Sequence, residues 1–186
     1  LGFLFPLIWA LGNNAPIILN NGGNSTASIS LPENNSAVTT IRYSDLDGAN
    51  IDLLVGTMGT DTIPKLWYKK MGLLNFKSVN SNYDNSDLAK SIIASDLDGD
   101  GDFDIVTANP FNDSVGWYKN NGSGDFGNKI TISSDMDNPR SVFTADLDND
   151  LDSDILVASG SDDKIAWFEN LGGGVFSEIK MISNSA

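Results

Sequence analysis

The stretch Gly116-Trp117-Tyr118-Lys119-Asn120-Asn121-Gly122 decides the fold, because it recurs along the chain at a fixed interval. Its tryptophan is repeated 50 residues away on either side, at Trp67 and Trp167. The same heptapeptide reads LWYKKMG at 66–72 and AWFENLG at 166–172, with PIILNNG at 16–22 as a degenerate copy. A constant interval of this size indicates that each unit of about 50 residues is one structural repeat.

Short runs of β-branched and aromatic residues fill each repeat, and Asp, Asn, Gly and Ser separate them. In the last repeat these runs are SVFTAD, DILVAS, KIAWFEN and FSEIKMI, which read as strands joined by turns. Four strands in about 50 residues is the size of one β-propeller blade. We therefore predict an all-β fold, a β-propeller-like array of four-stranded blades with about 3.7 repeats of 50 residues in 186.

The repeats predict a single domain over residues 1–186. Its predicted segments are an apolar N-terminal strand (1–12), a partial blade (13–36) and three blades (37–86, 87–137 and 138–186). The N-terminal stretch LGFLFPLIWALG carries no charge. It is too short to span a bilayer as a helix, and its alternative reading is the apolar region of a signal peptide.

The composition excludes several classes of function. The chain has 25 acidic and 11 basic residues and a net charge of −14, so nucleic acid and anionic membrane surfaces are unsuitable partners. It has no His and no Cys, which removes Ser-His-Asp and Cys-His nucleophiles, ordinary zinc sites and disulfides. No isolated pair of Glu residues suggests glycoside hydrolysis. We therefore expect neither an enzyme nor a membrane-inserted protein.

The acidic residues are concentrated in loops at 45–52, 96–104 and 146–154, called here the first, second and third acidic loops. These hold 13 of the 25 acidic residues. In the second loop, carboxylates stand at positions 1, 3, 5 and 9, the residue at position 7 offers a backbone carbonyl, and Gly101 permits a sharp turn. Converging carboxylates repel one another unless a cation binds them, and an irregular all-oxygen site favours Ca²⁺ over Mg²⁺. The predicted ligands are Asp96, Asp98, Asp100, Asp102 and Asp104.

The other two acidic loops vary this pattern. The third keeps every carboxylate, with Asp146, Asp148, Asp150, Asp152 and Asp154 as predicted ligands, but places Leu151 where the turn prefers glycine. The first has lost one residue and retains Asp45, Asp47, Asn50 and Asp52, so its site is weak, rebuilt around Asn50, or empty. An EF-hand is the competing interpretation, but position 12 of the second loop is Thr107 rather than Glu.

The text D-x-D-G-D-G-D-x-D-I-V at 96–106, followed by W-Y-K-N-x-G-x-G-x-F at 117–126, resembles the FG-GAP/VCBS repeat family. Repeats of this kind form the calcium-loop blades found also in integrin α-chain propellers. The resemblance covers the chain from about residue 13. It implies a β-propeller-like fold, an extracellular location and Ca²⁺ in the blade loops.

The repeat number suggests a function. An array of about 3.7 repeats leaves end surfaces and strand edges open, and such edges aggregate or find a partner. We therefore predict a secreted or cell-surface calcium-binding structural or adhesion protein that self-associates head-to-tail through residues 1–12, as a filament or surface-array subunit. The alternatives are a lectin-like carbohydrate-binding propeller module, or a fragment of a larger extracellular adhesin or polysaccharide-active enzyme. Glycans and extracellular proteins are the expected further partners.

Overall fold

The computed structural model describes residue 45 and residues 89–185 in full. For the earlier part of the chain it describes the backbone of seven strands. These are β1 (Leu7–Trp9), β2 (Ile17–Asn20), β3 (Thr26–Ile29), β4 (Ala37–Ser44), β5 (Asp52–Met58), β6 (Lys65–Gly72) and β7 (Asn75–Val79).

Eight further strands follow in the fully described region. They are β8 (Ser91–Ser95), β9 (Asp104–Asn109), β10 (Ser114–Tyr118), β11 (Ile130–Ser133), β12 (Pro139–Ala145), β13 (Asp154–Ser159), β14 (Ile165–Phe168) and β15 (Lys180–Ser183). Within the described residues there is no helix. The predicted all-β class is confirmed.

The strands form antiparallel sheets in chain order. β1–β3 make a three-stranded sheet, while β4–β7, β8–β11 and β12–β15 make three four-stranded sheets. Each four-stranded sheet is built from a contiguous stretch of chain, in which turns and loops connect neighbouring antiparallel strands. The sequence repeat therefore corresponds to one sheet.

The registers of the last two sheets are equivalent. Trp117 on β10 lies opposite Val106 on β9, as Trp167 on β14 lies opposite Leu156 on β13. The interval of 50 residues between the tryptophans thus places them at the same position in consecutive sheets.

The N-terminal segment contributes a strand to the first sheet. β1 pairs with β2 of the same chain, with Leu7 opposite Asn20 and Trp9 opposite Ile18. Part of the apolar stretch 1–12 is therefore a strand that completes a three-stranded sheet within its own chain.

The described core lies between the sheets β8–β11 and β12–β15. Leu97, Val106 and Trp117 approach it from the first of these sheets, and Val142 and Phe168 from the second. β12 contacts both β8 and β9, and β8 also contacts β4 and β5 of the preceding sheet. The last two sheets thus pack face to face and bury apolar side chains between them.

Specific contacts fix the packing of the last two sheets. The backbone N–H of Val142 donates a hydrogen bond to Ser91 Oγ across the interface (3.3 Å). The ring of Phe176 packs edge-to-face on Trp117, with ring centroids 6.1 Å apart. Gly174 also lies against Trp117, so close that a Cβ atom at this glycine would meet the indole at 2.2 Å. The consecutive repeats are therefore closely fitted at Trp117.

No helix in the described part of the chain has the length and apolar character needed to cross a membrane.

Candidate metal centres

The second and third acidic loops occupy equivalent places, between the first and second strands of their sheets. The second joins β8 to β9 and the third joins β12 to β13. The last aspartate of each loop begins the following strand, as Asp104 does for β9 and Asp154 for β13. Asp52 likewise begins β5. The sheet therefore fixes one end of each loop.

Each of these two loops brings three carboxylates together. Oxygens of Asp96, Asp98 and Asp104 lie within 4.8 Å of one another. Asp146, Asp148 and Asp154 form an equivalent set with the same mutual limit. These are loop positions 1, 3 and 9. Three carboxylate oxygens so close together form a donor set suited to a hard divalent cation.

The carboxylate at position 9 is buried in both loops and is tied to the backbone. In the second loop, Asp104 Oδ1 accepts the N–H of Asn120 (2.8 Å) and Oδ2 accepts that of Leu97 (3.2 Å). In the third, Asp154 accepts the N–H groups of Asn170 (2.8 Å) and Leu147 (2.9 Å). These bonds hold each loop against the segment that follows the third strand of its sheet, where Asn120 follows β10 and Asn170 follows β14.

Burial raises the pKa of Asp104 to about 6, although the two backbone N–H groups act in the opposite direction. Burial disfavours a charged carboxylate unless a neighbouring positive charge stabilises it. A cation bound among Asp96, Asp98 and Asp104 would provide that charge.

The carboxylate at position 1 shapes the turn of each loop. Asp96 accepts the N–H groups of Gly99 (2.9 Å) and Gly101 (3.0 Å), and Gly101 has a φ of +92°. In the third loop, Asp146 accepts the N–H of Leu151 (3.2 Å), whose φ is +78°. Leu151 therefore adopts the left-handed conformation predicted to carry a backbone cost at this position.

Asp98 supplies the observation that tests whether a cation fits. Its side chain is only 6% exposed, and its Oδ1 atom is buried with no hydrogen-bond partner. A buried carboxylate oxygen without a partner costs free energy, and a metal ion is one group that can satisfy it. The residues of the second loop thus fit a bound cation.

The residue that follows the repeated Trp-Tyr or Trp-Phe pair gives the two loops different charged neighbours. Lys119 forms ion pairs with Asp98 and with Asp100, the latter at 3.3 Å. One repeat later, Glu169 hydrogen-bonds Asp148, and this contact together with burial raises the pKa of Asp148. Lys180 forms an ion pair with Glu169 and lowers its pKa. A lysine therefore neutralises the second loop, whereas an additional carboxylate enters the third.

This difference was not foreseen from the sequence. Lys119 lies 21 residues beyond Asp98, and only the return of β10 beside the loop brings the two together. The available signal was the substitution of Glu for Lys at equivalent positions of WYKN and WFEN.

The remaining predicted ligands lie outside the two clusters of three. Asp100 Oδ1 accepts the N–H of Asp102 (3.0 Å), and Asp150 Oδ1 accepts that of Asp152 (2.9 Å). These carboxylates at position 5 thus brace the turn, and their role as ligands stays a prediction.

The first acidic loop is described only in part. Asp45 is half-buried, and its Oδ1 atom is buried without a hydrogen-bond partner. Of Asp52 the backbone alone is described, and Asp47 and Asn50 lie outside the described residues. The predicted site there stays a prediction.

Residues 96–157, which run from the second acidic loop into β13, match the model of the FG-GAP-like repeat. This part of the chain is similar to the FG-GAP-like repeat family. The resemblance drawn from the aspartate and tryptophan motifs is thereby confirmed. No curated protein is significantly similar to the chain in sequence.

A solved structure shares the fold. It is a lectin from Agrocybe aegerita, described for its specific recognition of non-reducing terminal N-acetylglucosamine. It superposes with a TM-score of 0.61 at 22% sequence identity, over 97% of this chain and 52% of the lectin chain. The present chain thus spans about half the length of that lectin. At this identity the similarity establishes the fold and nothing more.

Proposed function

We propose that this protein is a calcium-binding structural module of FG-GAP-like repeats. The observation that carries the proposal is the pair of equivalent three-carboxylate clusters in consecutive repeats, one of which contains a buried oxygen of Asp98 without a partner. The donors are carboxylates on irregular loops, which suit the flexible coordination of Ca²⁺ better than the strict octahedron of Mg²⁺. We expect no catalytic activity, because the clustered carboxylates are committed to the loops.

The connection between the loops indicates what the cation would do. The side-chain amide of Asn170 donates to Leu97 O in the second acidic loop (2.7 Å), while its backbone N–H donates to Asp154 in the third. Asn170 is itself fully buried between the two sheets. Cations that order both loops would therefore also fix the position of one sheet on the next.

Thermal unfolding with and without calcium tests this proposal. Because a ligand that binds only the folded state stabilises it, Ca²⁺ should raise Tm and a chelator should lower it. In the double variant Asp98→Asn/Asp148→Asn, most of the calcium-dependent shift should disappear. Asp125→Asn/Asp135→Asn removes the same two charges from exposed positions outside the loops and is the matched control. Equal Tm values in EDTA and in excess Ca²⁺ would contradict the proposal.

We also propose a β-propeller-like arrangement and an extracellular location. The successive packing of β4, β8 and β12, the first strands of the three four-stranded sheets, supports the first. In a propeller the first strand of each blade lies nearest the central axis. The FG-GAP-like repeat supports the second.

Self-association is a further part of the proposal, and a surface on the last sheet supports it. In that sheet Phe143, Leu156 and Trp167 form a cross-strand row. Their equivalents Ile93, Val106 and Trp117 pack into the core against the next sheet. Phe143, by contrast, is 56% exposed. We propose that a second copy of the chain covers this row head-to-tail, giving a surface array or filament.

Carbohydrate binding is the second candidate function. The structural similarity to a lectin is compatible with it, and one observation favours it: an open pocket lined by aromatic, amide and cationic side chains at the other end of the sheets. A module of this kind could serve in a larger adhesin or beside a polysaccharide-active enzyme.

A further inference from the structure

The pocket lies at the end of the sheets opposite the acidic loops. Lys90 precedes β8, Pro110 and Phe111 belong to the turn between β9 and β10, and Asn138 and Arg140 stand at the start of β12. Its volume is about 400 Å³. This is within the range of small-ligand sites and is sufficient for one or two sugar rings.

The two cations in the pocket are equivalent residues of consecutive repeats. Lys90 and Arg140 are 50 positions apart, and each directly precedes a serine in the first strand of its sheet, Ser91 of β8 or Ser141 of β12. Because β8 and β12 are in contact, the repeat brings these two positive charges to one place.

The charge of these residues is not used within the described structure. Both side chains are exposed, and among the described residues no carboxylate forms an ion pair with either. Lys119, Lys164 and Lys180 each pair with a carboxylate. In a chain of net charge −14, two cations without such a partner at one pocket mark a site for an anion.

The side chain of Arg140 packs against a glycine. A Cβ atom on Gly160 would meet the Nε atom of Arg140 at 2.5 Å, so the guanidinium group lies directly over this residue. The N–H of Gly160 donates to Asn138 O (3.0 Å), which joins the β13–β14 turn to the pocket wall. Asp113, in the turn between β9 and β10, accepts the backbone N–H of Asn138 (2.8 Å).

Phe111 gives the pocket an apolar face. It is 64% exposed, so the core does not require it. In the next repeat the equivalent pair is Gly160-Ser161 rather than Pro110-Phe111, so the aromatic ring is not part of the structural pattern of the repeat. An exposed ring beside two cations can stack on the apolar face of a pyranose whose anionic group reaches the cations.

We propose that this pocket binds an acidic sugar residue, a pyranose that carries a carboxylate or a sulfate group. Lys90 and Arg140 bind the anionic group and Phe111 stacks on the ring. The side-chain carbonyl oxygen of Asn138 accepts a hydrogen bond from a sugar hydroxyl. The inference rests on the second candidate function, carbohydrate binding, and is independent of the calcium loops.

The experiment is a titration of the ¹⁵N-labelled full chain, with Ca²⁺ present, followed by amide chemical shifts. The probes are methyl glucuronide, glucose 6-sulfate, methyl glucoside, N-acetylglucosamine and sodium acetate. The amides of Lys90, Phe111 and Arg140 should shift with one or both acidic sugars and not with methyl glucoside. The two acidic probes distinguish a carboxylate from a sulfate ligand.

Three variants test the assigned roles. Lys90→Gln/Arg140→Gln should weaken acidic-sugar binding about tenfold or more, since it removes charge-assisted hydrogen bonds. Phe111→Ala removes the stacking surface and should also weaken it. Gly160→Ala should weaken it by displacing Arg140 while keeping its charge. Lys180→Gln, which removes one positive charge at the far end of the sheet, should bind as the wild type does.

Each remaining outcome overturns the inference. Binding of methyl glucoside or N-acetylglucosamine alone would refute the acidic-sugar assignment while leaving carbohydrate binding intact. Acetate binding as tightly as methyl glucuronide would show a simple anion site without sugar recognition. If no sugar binds, or if the variants bind unchanged, the pocket is not the site; the absence of all sugar binding would also count against carbohydrate binding itself.

Discussion

One position gives the two described acidic loops opposite electrostatic surroundings. Lys119 places an ammonium group on Asp98 and Asp100 in the second loop, and backbone hydrogen bonding together with this lysine lowers the pKa of Asp100. Glu169 places a further carboxylate beside Asp148 in the third. A bound cation would compete with Lys119 in the first case and gain an extra oxygen in the second. The two sites should therefore differ in calcium affinity.

Exchanging these side chains for neutral ones should bring the two affinities closer together. Lys119→Gln should tighten Ca²⁺ binding at the second loop about two- to fivefold, the range expected for an exposed ion pair. Glu169→Gln should weaken binding at the third loop by a similar factor. Calorimetric Ca²⁺ titration measures both, and the unaltered loop of each variant is the internal control. Unchanged affinities in both variants would show that neither side chain reaches the cation.

Asp162, which lies outside the acidic loops, should make the free energy of unfolding depend on pH in the acidic range. Burial alone would raise its pKa, but bonds from Lys164 (2.7 Å), Ser159 and the N–H of Asp137 (3.1 Å) outweigh it and lower the pKa to about 2. Because the folded pKa lies below the unfolded value, this stabilisation is present above about pH 4 and is lost as the pH falls towards 2.

Urea unfolding measured between pH 4.5 and 2.5 checks this expectation. Asp162→Asn should flatten the decline of unfolding free energy over that range. Asp163→Asn changes the adjacent residue, which has a φ of +51° that Asn also tolerates, and should leave the decline as it is. If the unfolding free energy declined equally in the wild type and both variants, Asp162 would not be the source of the pH dependence.

The ligand spacing was predictable from the sequence, but the neighbouring charges were not. Positions 1, 3 and 9 of a tight loop meet because the chain is short between them, so local order suffices. The contacts of Lys119 and Glu169 depend on a strand that returns to the loop from 21 residues away in each repeat. Spacing along the chain carries no information about which side chain arrives there.

At the scale of elements, the repeated tryptophan is a packing residue in one sheet and a surface residue in the next. Trp117 is buried beneath Phe176 and Gly174 of the following repeat. Trp167 has the equivalent register but is half-buried, with the ammonium of Lys180 4.6 Å from its ring centroid. The identity of a residue in the repeat therefore does not fix its burial, because the following sheet supplies the cover.

Two neighbouring glycines allow the free-energy cost of a packing clash to be measured apart from the cost of backbone strain. Gly174 and Gly173 both have a positive φ, +74° and +64°, but only a Cβ at Gly174 would collide with Trp117. We expect Gly174→Ala to lower the free energy of unfolding by about 1–3 kcal/mol more than Gly173→Ala does, the usual cost of overpacking. Chemical denaturation in saturating Ca²⁺ measures the difference. Equal losses would mean that the indole moves aside without cost.

For the whole molecule, the uncovered face of the last sheet is the feature with the largest consequence. Leu97 is 1% exposed in the second acidic loop, whereas its equivalent Leu147 is 42% exposed in the third. Phe143 and Trp167 lie on the same sheet as this leucine. A face that is buried in one repeat and open in the next is complementary to a further sheet of the same kind.

If a second copy covers this face, a charge placed on it should dissociate the assembly. We expect the wild-type chain to sediment as dimers or larger species at concentrations of tens of micromolar, and Phe143→Asp to shift it towards the monomer. Val175→Asp, at an equally exposed apolar residue outside the row, should sediment as the wild type does. A wild-type chain that stays monomeric throughout would remove the support for self-association.

The sequence by itself determined the repeat, the all-β class and the aspartates that converge in each loop. These follow from local chemistry, namely strand-forming runs, turn residues and closely spaced carboxylates, which recur in every copy of the sequence repeat. The tertiary structure decided which copies of a residue are covered, which charges face each acidic loop, and that Lys90 and Arg140 meet in one pocket. These depend on how one sheet packs on the next, and packing joins residues that are tens of positions apart in the chain.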